Sequence, residues 1–281
     1  MFFPRRCAKR PAYPVSGIQS AAPATLTMAV IAVFNQKGGV GKTTTALNLH
    51  AGLALLKTDP LAIDLDPQGH LSLACGAKAV ASTQSVYSFF EHGVPLEQLM
   101  QPLPSGRRLI ASTLDLSKVD ALRGGDTQIA QRLRNGIRAA FGGSAAPVII
   151  DCCPMLSVLT MNALIAADRV LIPVAADFLS LQGVGRLDRA LNVLEVKLGR
   201  QIQRRVVVTR FDARRKLSFA IYDELKGRYG AALCATRIVE NVNLAESPMH
   251  GKDIYAFAPA SPGARDYRAL LEELGSAGFF A

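Results

Sequence analysis

VIAVFNQKGGVGKTTTALNLHAGLALL, residues Val30 to Leu56, is the stretch from which the rest of the chain is read. It opens with apolar, β-prone residues from Val30 to Phe34. It then turns through Gly38, Gly39 and Gly41 and enters a helical pattern at Ala46, Leu47, Leu49 and Leu53. Strand, glycine loop and helix N-terminus in that order make a phosphate cradle. Glycines let backbone N–H groups face an anion, and the helix dipole favours negative charge at the same place. Lys42 is placed to reach the β- and γ-phosphates of a nucleotide, and the Thr43 hydroxyl to ligate Mg²⁺.

The common form of such a loop, G-x-x-x-x-G-K-[ST], has glycine where this chain has Gln36, and the next residue here is a second lysine, Lys37. KGGVGKTT resembles the deviant Walker A loop of the ParA/MinD group of ATPases. That resemblance implies ATP and Mg²⁺ as cofactors, with Lys37, Gly38, Gly39, Val40, Gly41, Lys42, Thr43 and Thr44 around the nucleotide. It also implies that Lys37 crosses a dimer interface to the phosphates held by a second copy, so that the ATP state is a homodimer.

Further segments carry the same likeness. Ile63-Asp-Leu-Asp-Pro-Gln-Gly69 reads as a short strand ending in carboxylates, and two aspartates at i and i+2 project to one side. By resemblance Asp66 positions the attacking water, while Asp64 supports Mg²⁺ or the loop geometry. Pro147-Val-Ile-Ile-Asp151 is a buried strand ending in a carboxylate that would hold the Mg²⁺ shell. The family continues with two prolines after a cysteine; this chain has Cys152-Cys153-Pro154, which loosens a loop near the nucleotide and dimer face. Adjacent cysteines with no cluster-binding spacing around them point neither to a disulfide nor to iron–sulfur chemistry. Ile238 to Pro248 resembles the family's adenine-side loop, with Asn241 facing the base and Val239 and Glu240 departing from the pattern.

The fold class expected is α/β, three layers, with helices on both faces of a mainly parallel sheet, as in P-loop NTPases. Residues 29–281 are read as one ATPase domain. Residues 1–28, rich in proline and without periodicity, are read as an extension: an inert tail preceding a translation start at Met28, a basic arm carrying Arg5, Arg6, Lys9 and Arg10, or a targeting segment. Short helices are expected over Ser85–His92 and Pro95–Met100, a strand over Arg108–Ala111 and a basic helix over Ile129–Phe141. Gly124-Gly125 and Gly142-Gly143 mark breaks. Tyr87, Phe89 and Phe90 are assigned to the core. Leu181, Val184, Leu187, Leu191, Leu194 and Leu198 form an amphipathic stripe that packs on the sheet.

Charge is unevenly placed. The 281 residues carry a net +10, yet residues 181–230 alone hold twelve basic and five acidic side chains. Such an excess is a footprint for a polyanion. Asp212-Ala-Arg214 matches the family's Asp-x-Arg, so Arg210, Arg214, Arg215 and Lys216, then Arg186 and Arg189, are the expected contacts to non-specific DNA. The five cysteines suit a reduced cytoplasmic setting. No apolar run reaches the roughly 20 residues that span a bilayer, and the acidic final helix (Glu272, Glu273) is no membrane anchor. The resemblance implies a nucleoid-associated partitioning ATPase with a ParB-like partner. Its rivals are a relative that positions a protein assembly, a metabolic ligase on the same scaffold, and a reductase. For the last two no catalytic or bridging cluster is visible, and His50, His70, His92 and His250 are scattered.

Overall fold

The computed structural model describes residues 28–123 and 129–280. The expected basic arm and the Gly124-Gly125 break lie outside them. Eight strands form one sheet: β1 Val30–Val33, β2 Leu61–Leu65, β3 Met100–Pro102, β4 Arg108–Ile110, β5 Val148–Cys152, β6 Arg169–Ala175, β7 Gln203–Phe211 and β8 Leu233–Val239. Their spatial order is β3-β4-β2-β5-β1-β6-β7-β8. Every pairing is parallel except β3 with β4.

The helices are α1 Lys42–Leu55, α2 His70–Ala74, α3 Val86–His92, α4 Ser117–Arg123, α5 Arg132–Phe141 and α6 Val158–Ala166. After them come α7 Phe178–Leu198, α8 Lys216–Tyr229, α9 Val242–Glu246, α10 Ile254–Phe257 and α11 Pro262–Ser276. A parallel sheet must be covered on both faces, because its crossovers lay helices there. Period-2 alternation divides β1 accordingly. Val30, Ala32 and Phe34 join the core beneath α3 to α8, whereas Ala29, Ile31 and Val33 join the core beneath α1, α2, α10 and α11. Val184, Leu187, Leu191 and Leu194 of the leucine stripe are buried in the first of these cores, as their spacing predicts. Phe89 and Phe90 are buried there too, with Tyr87 half-buried against them.

Two elements differ from the sequence reading. Pro95–Met100 is not a helix. A single 3₁₀ turn over Leu96–Gln98 leads into β3, which runs antiparallel at the sheet's edge. Pro102 has no N–H to give a further strand, which an edge position tolerates. The apolar run reads as a strand over Arg205–Thr209 that leads into a loop at Arg210; the strand is longer, so Arg210 lies at the end of β7.

The turns after β1, β2, β5, β6, β7 and β8 all leave the same edge of the sheet, where open α/β sheets bind ligands. The N-terminal ends of the same strands face the opposite edge.

Candidate phosphate-binding site

The loop between β1 and α1 is held at its two ends, by its own Asn35 against β6 and by Thr209 of β7. Asn35 is buried; its Nδ2 donates to the Pro173 carbonyl (2.8 Å) and its Oδ1 accepts from Lys37 N–H (3.1 Å). Thr209 Oγ1, from β7, donates to the Val40 carbonyl (2.9 Å). Between these pins, Gly39 (φ 74°) and Gly41 (φ 83°) take the left-handed conformation that glycine adopts without strain. A Cβ at Gly38 or Gly39 would meet no atom within 4 Å, so the space over the loop is open. The start of α1 has neither a side-chain cap nor an acidic residue, leaving its first N–H groups to an anion.

Lys42 is buried and donates to the Lys37 carbonyl (2.8 Å). Burial lowers its pKa, opposed chiefly by the nearby Asp151. Asp151, the last residue but one of β5, has both carboxylate oxygens buried and without a hydrogen-bond partner among the described residues. Its pKa is pushed well up by burial first and by the adjacent Asp64 second. The Thr43 hydroxyl and the Lys42 ammonium work in the other direction. A bare buried carboxylate is costly. Beside a threonine hydroxyl, an ammonium and an open glycine loop, it fits a divalent cation carried in with phosphate oxygens. Among the described residues no group of three or more His, Cys, Asp or Glu could hold a metal. The cation would therefore take its remaining ligands from nucleotide and water.

Asp64 is already engaged. Its Oδ2 accepts from Ser72 N–H (2.8 Å) and Ser72 Oγ–H (2.7 Å), and its Oδ1 from Asp66 N–H (3.1 Å). Of the two roles expected for it, loop geometry is the one displayed, and burial raises its pKa to about 6. Asp66 is half-buried at the rim, with Oδ1 accepting from Gln68 N–H (2.9 Å).

Lys37 does not point into solvent. Its Nζ lies 2.6 Å from Asp177 Oδ1 and 3.0 Å from Ser180 Oγ, both from the start of α7. Asp177 is the N-cap of that helix, its Oδ1 accepting from Ser180 N–H (2.8 Å). Burial would raise the Asp177 pKa, but the hydrogen bonds from Lys37 and Ser180 bring it below the ordinary carboxylate value. Asn35, Asp177, Ser180 and Thr209 escaped the reading of the sequence. Only Asp177-x-x-Ser180 carried a local signal, that of an N-cap before an apolar helix.

Asn241 caps α9 through Oδ1 (Asn243 N–H, 2.9 Å), and its amide nitrogen makes no hydrogen bond among the described residues. Cys152 and Cys153 are buried free thiols, with Cys153 Sγ 3.3 Å from Thr160 Oγ1. The loop after β5 exposes Met155 and Leu156, and the first turn of α7 exposes Phe178 and Leu179.

The basic segment is arranged differently. Arg210 pairs with Glu240 (3.0 Å), and Arg214 grips Asp212 with Nε and Nη2 (2.9 Å each). Arg215 Nε also reaches Asp212 (3.2 Å), and Lys216 begins α8. These hydrogen bonds hold the Asp212 pKa down to about 2. Arg186 and Arg189 are exposed on α7.

A glycine loop at the end of a central parallel strand, a buried lysine on the following helix, and a neighbouring strand with a carboxylate near its end define a P-loop nucleotide-binding ATPase. Residues 28–204 match the family model described as an AAA domain. The chromosome-partitioning ATPase Soj of Thermus thermophilus is 41% identical over 248 residues, covering 87% of this chain and 94% of that protein. The chromosome partitioning protein ParA of Myxococcus xanthus is 33% identical over 247 residues, 87% of each chain. The chain belongs to the ParA/Soj family of partitioning ATPases. Among solved structures, cobyrinic acid a,c-diamide synthase of Mycobacterium smegmatis with bound ADP and magnesium has a TM-score of 0.76. It is 28% identical to this chain, and the match covers 88% of this chain and 94% of that one.

Proposed function

We propose that this chain binds Mg-ATP in the loop between β1 and α1, dimerises through that face, and in the dimeric state holds duplex DNA without reading its sequence. Hydrolysis, accelerated by a ParB-like partner, then releases the DNA, and the cycle serves chromosome or plasmid partitioning at the nucleoid.

The observation that carries this reading is the setting of Lys37. It is a second loop lysine, 29% exposed, resting on a helix cap at the rim of the site, and the two residues after that cap, Phe178 and Leu179, are exposed apolar side chains. Lysine is a compact charge on a flexible stem. It can leave Asp177 for phosphates bound by a second copy once the two loops face each other. Met155, Leu156, Phe178 and Leu179 supply apolar surface for that face.

Lys42, already desolvated, neutralises the β- and γ-phosphates, and the free N–H groups of the loop and of the start of α1 orient them. Asp66 at the rim aligns the attacking water. Mg²⁺, held through Thr43 and Asp151, would supply charge stabilisation at the phosphate oxygens. Phosphoryl transfer of this kind depends on positioning and electrostatics more than on covalent chemistry. Dimerisation brings two copies of Arg210, Arg214, Arg215, Lys216, Arg186 and Arg189 onto one surface, which raises avidity without new contacts per subunit. Among the described residues no helix is long and apolar enough to cross a membrane.

Light scattering with a non-hydrolysable ATP analogue tests this reading. The unaltered chain should double in mass. Lys37→Ala should still bind nucleotide, within about tenfold of the parent (~1.4 kcal/mol), and stay monomeric. Asp177→Ala, which frees the lysine, should dimerise at lower nucleotide concentration. A dimer that survives Lys37→Ala would rule the assignment out.

A further inference from the structure

At the opposite edge of the sheet, where β1 and β6 begin, lies a cavity of about 400 Å³. Met28 and Val30 form one wall, Arg134 and Arg138 of α5 another, and Asp168, just before β6, closes it. Arg134 and Arg138 stand one helical turn apart on one face, a like-charge spacing that costs stability. Neither makes a hydrogen bond or ion pair through its side chain among the described residues.

A third guanidinium approaches from behind. Arg200 donates through Nη2 to the carbonyls of Ile165 (2.7 Å) and Ala167 (2.9 Å) at the end of α6. Its Nε is buried with no hydrogen-bond partner among the described residues. Burial first, and then the fields of Arg134 and Arg138, lower its pKa.

One carboxylate, Asp168, is part of the cavity wall, its Oδ2 accepting from Val30 N–H (3.1 Å), and it faces two arginines and the field of a third. Glu195 takes Ile202 N–H (2.8 Å) and pairs with Arg204.

We propose that this cavity is a second anion site, which takes a small phosphate- or pyrophosphate-bearing metabolite. Guanidinium forks match phosphate oxygens in pairs, and two unpaired forks a turn apart suit two linked phosphates better than one. The volume lies within the roughly 300–1,000 Å³ of small-molecule clefts. The four residues of β1, about 13 Å of strand, separate the cavity from the glycine loop, so its occupant need not compete with the nucleotide.

Inorganic pyrophosphate is the probe, titrated calorimetrically without magnesium into full-length protein. Lys42→Ala serves as the background, so that the glycine loop does not report. Lys42→Ala should bind pyrophosphate. Adding Arg134→Gln and Arg138→Gln should weaken that binding at least tenfold, with Arg134→Lys and Arg138→Lys in between. Arg214→Gln with Arg215→Gln should leave it unchanged. The glutamine pair removes a repulsion, so thermal melting should show an intact fold. No binding in the Lys42→Ala background, or binding indifferent to the α5 arginines, would overturn the proposal. So would a glutamine pair that lost duplex DNA while pyrophosphate never bound, since the arginines would then belong to a nucleic-acid surface.

Discussion

Two clusters of positive charge leave the same edge of one sheet, after β1 and after β7, and they are built on opposite terms. Lys42 is 7% exposed and fixed on a backbone carbonyl of its own loop. That loop is in turn pinned by Asn35 and Thr209. Arg214 has an 89% exposed side chain whose only fixed partner among the described residues is Asp212 two residues earlier. A desolvated, positioned charge acts on one ligand in one geometry. Exposed guanidiniums, screened by salt and free to exchange a surface carboxylate for a phosphate, act as a sum. The contrast implies that single substitutions should abolish function in the first cluster and only grade it in the second.

The largest expected effect belongs to the buried cluster. Lys42→Ala should weaken nucleotide binding by roughly 100-fold or more, the scale of losing a desolvated charge opposite phosphates. A fluorescent ATP analogue reads this directly, and unaltered affinity would erase the distinction drawn here.

Protons should also discriminate between the two regions. His50, on the buried side of α1, accepts no proton readily. Burial, and then the Arg107 charge, lower its pKa from about 6.5 to about 3. Because the folded value lies below the unfolded one, its contribution is complete above about pH 6.5 and is lost as the pH falls towards 3. At pH 5 the loss from this group should be about 2 kcal/mol. Urea titrations at pH 7 and pH 5 should show it, and His50→Gln should remove about 2 kcal/mol of that difference.

The smallest effects belong to the exposed cluster. Arg214→Gln with Arg215→Gln should lower duplex affinity several-fold and reduce the slope of log affinity against log salt by about 2. Nucleotide affinity should not move. A loss of hundreds-fold, or an unchanged slope, would show that these arginines are built into something more rigid than a screened surface.

Much of the site was legible because its parts are neighbours along the chain. Gly38 to Thr44 state strand, turn and helix start within one loop, and Asp151 lies in its own strand. The period of Val184, Leu187, Leu191 and Leu194 likewise declared which face of α7 is buried. Less was visible where partners are remote. Lys37 meets Asp177 across 140 residues, and Thr209 meets Val40 across 169. β3 was missed because three residues at an edge have no period to detect. The excess charge of residues 181–230 was countable, but its neutralisation by Asp212 and Glu240 depended on how β7 and β8 end side by side.

Sequence alone therefore determined the parallel α/β architecture, the phosphate loop and the carboxylates beside it, since motif and periodicity are written in consecutive residues. Tertiary structure decided where Lys37 rests, what braces the loop, and which arginines gather unpaired around Met28. Those are encounters between strands and helices far apart in the chain, and only packing brings their charges close enough to interact.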